Sequence, residues 1–207
     1  MITWATSEGD ADGGDRVVPA ASTIKLFVAS AFWRSGLDPA EQVEVRRVPW
    51  SLADRLTGPV TLGDCALLML AFSDNAATNV LLKHLGLAAV NDEAARLGAT
   101  RTEVRRPMMA EGPENVTSAA DLARGLAAID EPRIFEALSV AHDSELPLRL
   151  SDREVVVKTG EIWPRVYHEV ALVDRRFAVA VCSEPAALPG VVAATCERVI
   201  RASLERG

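Results

Sequence analysis

The sequence predicts a mixed α/β fold of the α+β type: a mostly antiparallel sheet flanked by helices, with an all-helical subdomain inserted into it. Three observations carry this. Residues 2–7 read as a short strand, the chain from Ser22 to about Ala141 is dominated by helical apolar spacing, and from Glu154 to Ser183 the spacing becomes extended before a last helical run. The sheet must then recruit its first strand from the N-terminus. This divides a single domain, 1–207, into a sheet subdomain (1–21 and 147–207) and a helical subdomain (22–146). At 207 residues, 49% of them hydrophobic, the chain is large enough to bury a sizeable core.

The elements follow in order. Gly9 to Asp15 (GDADGGD) is a turn cluster leading to Val17-Val18-Pro19. A helix from Ser22 to about Ser35 carries apolar residues on most of its faces (Ile24, Leu26, Phe27, Val28, Ala31, Phe32), which predicts a central, buried helix ended by Gly36. The stretch from Asp38 to Pro59 is polar and punctuated by prolines, with a short strand expected at Val43–Val45. Thr61 and Asp64 form a capping box that opens a helix through Phe72, with Asp in the place of the usual Glu or Gln. Ser73-Asp74-Asn75 breaks that run, and helical spacing resumes from Ala76 to Leu85 and from Ala88 to Leu97, closed by Gly86 and Gly98. Residues 99–116 are irregular. Ser118 and Asp121 cap a helix to Ile129, and a further helix covers Pro132 to Ala141. After Pro147 come three strands, at Glu154–Lys158, His168–Val173 and Phe177–Ser183, the last two joined by the hairpin link Asp174-Arg175-Arg176. Pro189 to Leu204 is a closing helix.

Composition removes several functions. A net charge of −7 without blocks of like charge argues against nucleic acid or an anionic membrane as partner, and 5% aromatic residues are too few for a base-stacking platform. No apolar run approaches the ~20 residues of a membrane span, and Met1 to Glu8 lacks the basic and apolar regions of a signal peptide, which predicts a cytoplasmic protein. Cys65, Cys182 and Cys196 are odd in number, lack metal-like spacing and sit in apolar segments, so neither a disulfide framework nor a metal site nor any cofactor is expected.

Ser22-Thr23-Ile24-Lys25 places a hydroxyl and an amine three residues apart, on one helix face with Cβ atoms about 5–6 Å apart. A serine attacks a carbonyl only when a base takes its proton, and a lysine is that base only when burial or a neighbouring cation favours the neutral amine. Alone, the same residues equally describe a helix cap and a solvated lysine. Two further short motifs follow in order: Ser73-Asp74-Asn75 at a helix break and Lys158-Thr159-Gly160 at the end of an apolar strand.

With these three motifs in these contexts, the sequence resembles the penicillin-recognising serine hydrolases, and among them the class A β-lactamase-like branch, over nearly its whole length. Phe72 to Leu82 is similar to that branch's second-motif segment, and Gly112 to Ser118 to the segment joining its Ω-loop region to the next helix. The resemblance implies a β-lactamase/transpeptidase-like fold and an acyl-enzyme on Ser22. Lys25 would act as base or relay, Ser73 as the proton shuttle to the leaving nitrogen, and Asn75 as a ligand of the substrate amide and of Lys25. Lys158 would supply positive charge beside Ser73, Thr159 and Gly160 would line the substrate's strand edge, and the N–H of Glu161 would join that of Ser22 as an oxyanion hole.

The sequence also departs from that branch. The family's Ω-loop Glu-x-x-x-Asn element is matched literally by Glu111 and Asn115, but register against the following cap places the slot at Pro107-Met108-Met109, which holds no acid. Glu161 stands where a small residue is usual, so it should repel an anionic substrate or recognise a cationic one. The family's substrate-carboxylate arginine is replaced by Tyr167 or His168, with Arg165 as a substitute, and His168 is also a candidate for proton transfer. The long N-terminal helix that normally packs on the sheet is missing, which leaves room for a homo-oligomer. The leading expectation is a serine hydrolase acting on a small-molecule amide, lactam or ester, with weak or no β-lactam turnover. Its rivals are an acyltransferase or cyclase of secondary metabolism, and a non-catalytic binding protein on the same fold.

Overall fold

The computed structural model describes residues 1–141 and 143–206; positions 142 and 207, within the ranges read as helical and sheet subdomains, lie outside the described residues. In chain order, β1 (Ile2–Thr6), β2 (Ala11–Asp12) and β3 (Val18–Pro19) precede a 3₁₀ turn at Ala21–Ile24 that runs into α1 (Lys25–Arg34). Then come β4 (Gln42–Val43), a 3₁₀ turn at Ala53–Arg55, β5 (Val60–Thr61), α2 (Leu62–Ala71), α3 (Asn75–Leu85) and α4 (Leu87–Arg96). β6 (Val116–Thr117), α5 (Ala119–Ala128), α6 (Pro132–Ser139) and α7 (Leu146–Arg149) lead to β7 (Val155–Ile162), β8 (Val166–Val173), β9 (Phe177–Ser183) and α8 (Pro189–Leu204).

The five-stranded sheet has the order β2-β1-β9-β8-β7, with every neighbouring pair antiparallel. β1 is recruited into its interior, with Ile2 opposite Ser183 and Thr6 opposite Val179. β8 and β9 are buried along their whole length because both faces are covered. One face presents Tyr167, Ala171, Val173, Val179 and Val181 to Val192, Cys196, Val199 and Ile200, which recur at helical spacing on α8. Ile2 and Trp4 are half-buried at the margin of this layer. The other face presents Val170, Leu172, Ala178, Ala180 and Cys182 to the large core shared by α1, α2, α3 and α5. α1 lies within that core, with Lys25 through Phe32 all buried. Gly125 lets α5 approach it, since a Cβ there would lie 2.6 Å from the Phe27 ring. No helix of the described residues is long and apolar enough to cross a membrane.

Several expectations need correction. The first turn after Ser22 is 3₁₀, so the α-helix begins only at Lys25. The turn cluster 9–15 contains β2, the strand expected at Val43–Val45 is Gln42–Val43, and Pro147 lies in the short helix α7, where proline is tolerated in a first turn. α5 lies against β1, β8 and β9, although its residues fall in the range read as the helical subdomain. β7 runs four residues past Lys158, which places Thr159, Gly160 and Glu161 within the sheet's edge strand.

Candidate active site

Ser22 sits in the 3₁₀ turn at Ala21–Ile24, entered through a left-handed Ala21 (φ +49°). In a 3₁₀ turn the side chains at i and i+3 eclipse, which sets Lys25 directly over Ser22. The segment before the turn is anchored from three sides. Ala20 N–H donates to the Asn115 carbonyl (2.7 Å), Thr23 Oγ1 donates to the Ala20 carbonyl (2.6 Å), and His168 Nε2 donates to the Pro19 carbonyl (2.8 Å).

Lys25 has no solvent exposure. Its Nζ lies 2.5 Å from the Ser73 carbonyl, 2.9 Å from Asn75 Oδ1, 3.0 Å from Ser22 Oγ and 3.2 Å from Ser73 Oγ. A neutral amine has two N–H donors and one lone pair, so the two shortest contacts take the donors and leave the lone pair for a serine hydroxyl. Burial, reinforced by the Lys158 charge, holds the amine well below the ordinary lysine range, and Asp74 and Asp143 oppose that only in part. Ser73 is itself left-handed (φ +55°), because the chain turns sharply between α2 and α3; the Asp74 N–H still bonds the Leu68 carbonyl. Asp74 then caps α3, accepting from Ala77 N–H at 2.8 Å, while its other oxygen accepts from Leu52 N–H (2.5 Å) and Ala53 N–H (3.0 Å). One buried carboxylate thus fixes Ser73, Asn75 and the loop at Pro49–Ala53 together.

The third motif arrives on β7. Lys158 is buried, donates to Ser73 Oγ (3.2 Å) and to the Thr159 carbonyl (2.9 Å), and lies 3.9 Å from Asp143 Oδ2. Burial lowers its pKa too, while Asp143 and Glu161 pull it back up; the Lys158 charge lowers Lys25 further, so the neutral form is favoured more strongly at Lys25 than at Lys158. Strand alternation turns Lys158 and Gly160 towards the Ser22 turn. A Cβ on Gly160 would lie 3.0 Å from Ser22 N and 2.9 Å from Thr23 N, so only glycine permits this approach.

The fold and this site can be set beside known proteins. The model of the beta-lactamase enzyme family matches residues 5–199. The chain belongs to the beta-lactamase enzyme family. Three class A or related beta-lactamase structures superpose closely on this family member. They are an ancestral (GNCA) class A beta-lactamase (TM-score 0.84, 21% identity, 98% of this chain and 94% of that one), a beta-lactamase from Sphaerobacter thermophilus (0.80, 23%, 99% and 90%), and a beta lactamase from Xanthomonas campestris pv. campestris (0.83, 18%, 96% and 89%). At these identities they establish the fold. No curated protein matches the sequence.

In this member of the family one cluster gathers Ser22, Lys25, Ser73, Asn75, Lys158, Thr159 and Gly160, with the exposed Glu161 next along β7. Three other candidates stand elsewhere. Tyr167 points to the α8 side of the sheet and donates its hydroxyl to Glu169 Oε1 (3.2 Å). His168 is buried, with Nε2 on the Pro19 carbonyl and Nδ1 accepting from Ser183 N–H (3.3 Å), and burial lowers its pKa. Buried and bonded through both ring nitrogens, it braces the turn that carries Ser22. Arg165 lies 3.3 Å from Glu114, which Arg106 also holds at 2.7 Å.

In the 103–116 loop, Asn115 Oδ1 accepts from the N–H groups of Arg105 and Arg106, and Glu111 is exposed. Asn79, one turn beyond Asn75 on α3, brackets the Met108 backbone, accepting its N–H at 2.7 Å and donating to its carbonyl at 3.0 Å. The residue clamped at the register slot is therefore a methionine. Sequence reasoning missed Asp143, in the loop between α6 and α7, whose carboxylate accepts from Thr159 Oγ1. No local pattern marks it. It also passed over Asp74 and Asn79, although both lie inside the second-motif segment.

Proposed function

We propose that the protein is a serine hydrolase that forms an acyl-enzyme on Ser22 with an amide, lactam or ester substrate. The observation that carries this is the Lys25 amine, buried and 3.0 Å from Ser22 Oγ, with its other contacts saturated by Ser73 and Asn75. Lys25 takes the Ser22 proton as Oγ bonds to the carbonyl carbon, and the oxyanion that forms is held by the N–H groups of Ser22 and Glu161. As the carbonyl carbon's bond to the leaving nitrogen or oxygen breaks, Ser73 Oγ gives its proton to that atom and is resupplied through Lys25, with the Lys158 charge beside it throughout. General-base contributions of this kind are worth roughly 10²–10⁴ in rate.

Acyl transfer to an amine is the second reading, favoured by the loop. Met108 occupies the register slot, Glu114 is tied to two arginines and Glu111 faces solvent, so this loop offers no evident carboxylate to activate water.

Intact-mass spectrometry with a fluorophosphonate and with a penicillin tests both readings. A covalent adduct with wild type is expected, abolished in Ser22→Ala and slowed by about 10² or more in Lys25→Ala. No adduct with either probe refutes the enzymatic reading and leaves a binding protein. A penicillin adduct that disappears within seconds indicates hydrolysis, and one that persists until an amine is added indicates transfer.

A further inference from the structure

The edge of β7 bears on what a substrate must carry beyond its carbonyl. A substrate whose carbonyl oxygen lies at the Glu161 and Ser22 N–H groups runs alongside Thr159 and Glu161. The donors available to an anion there are the Thr159 hydroxyl and the Lys158 ammonium, and both are already engaged by Asp143. Thr159 Oγ1 donates to Asp143 Oδ2, and the same oxygen lies 3.9 Å from Lys158 Nζ. The carboxylate is not sealed away, since its side chain is 42% exposed while that of Lys158 is 1% exposed. Asp143 therefore stands between the buried cation and solvent. Glu161, exposed on the same strand, has no ion-pair partner among the described residues and adds a second negative charge. The nearest guanidinium in sequence, Arg165, is occupied by Glu114.

We propose that Asp143 is a specificity-determining residue. By filling the anion-binding edge of the cleft with a carboxylate of the protein's own, it excludes acyl donors that carry a carboxylate beside the scissile bond. Together with Glu161, it selects donors that present a cationic amine or guanidinium at that position. This rests on the Ser22 acyl-enzyme reading and adds the charge of the substrate to it. Two unit charges about 4 Å apart interact by enough, even at the dielectric of water, to change a rate several-fold, and by more in a partly dry cleft.

The test uses three activated aryl esters that share one acyl scaffold and differ only in bearing an ammonium, a methyl or a carboxylate beside the carbonyl. Second-order rate constants for acylation of Ser22 are measured by mass and by release of the phenol. The expected order in wild type is ammonium, methyl, carboxylate, with at least about tenfold between the first and last and a spread that narrows as salt screens it. In Asp143→Asn the ammonium-to-carboxylate ratio should fall several-fold, and in Glu161→Gln by less. Division by the methyl ester's rate in each variant removes any effect on folding or on the nucleophile itself. A wild-type protein that acylates fastest with the carboxylate ester, or an Asp143→Asn ratio equal to that of wild type, overturns the inference and leaves the Ser22 reading standing. Failure of all three esters to label Ser22 overturns both.

Discussion

On the proposed mechanism Lys25 has to be neutral to accept a proton from Ser22, and the site favours that form through burial and a cationic neighbour, while the Ser73 carbonyl and Asn75 Oδ1 accept its N–H groups and leave its lone pair to the hydroxyl. The rate of acylation by a neutral ester should therefore rise with pH along a limb set by this lowered pKa and level off well below the ordinary lysine value of about 10.4. Lys158→Gln removes the charge that pushes Lys25 downward, so the limb should move to higher pH while the plateau falls. Burial, the larger cause, remains, so the limb stays below that of an ordinary lysine. A pH profile of adduct formation in the two proteins measures this. A limb that moves to lower pH in the variant would contradict the roles given to the two amines.

Between elements, the decisive contact is that of β7 with the Ser22 turn. Gly160→Ala would place a methyl group 2.9–3.0 Å from two backbone nitrogens, and neither can swing aside as a side chain would. The strand must retreat, taking Lys158 and the Glu161 N–H with it. The expected result is a loss of acylation of at least about tenfold and a destabilisation of about 1–3 kcal/mol, read by ester kinetics and chemical denaturation. An unaltered rate would mean that strand and turn do not meet closely. Elements of this kind differ in how far the sequence reveals them. The Thr61–Asp64 capping box and the apolar runs of β8 and β9 are local signals, and each element forms where its residues indicate. The three motifs were legible because each lies on a short stretch with its own helix break or strand end. The 3₁₀ entry at Ala21 was not, since a left-handed alanine is imposed by the surrounding anchors at Pro19 and Ala20 rather than by its own preference. Nor was Asp143, which meets Thr159 only because two helices and a strand bring them together.

For the molecule as a whole, the sheet buries one acid that contributes to its pH response. Glu169 lies opposite Thr159 across β7 and β8 with no exposure, one oxygen on the Tyr167 hydroxyl and the other without a partner among the described residues. Burial pushes its carboxyl up to about 7. The folded protein thus keeps a proton that the unfolded chain releases at about pH 4.3, so this group's contribution makes stability fall as pH rises between those values, by roughly 4 kcal/mol over the span. Glu169→Gln should flatten that part of the curve. Urea denaturation of both proteins at pH 5 and pH 8 checks it, and a slope that survives in the variant would assign the effect to other groups.

The place of β1 has a consequence for how the chain comes into being. Trp4 pairs with Val181, so two neighbouring strands of the sheet are separated in the chain by the whole helical stretch and by β7 and β8. On a ribosome, β1 would leave the exit tunnel with only the two-residue β2 to lie against while the helices that follow are synthesised. Until β9 is released, one whole edge of β1 is an open template for pairing with other chains, so that exposure lasts through the synthesis of everything between Thr6 and Phe177.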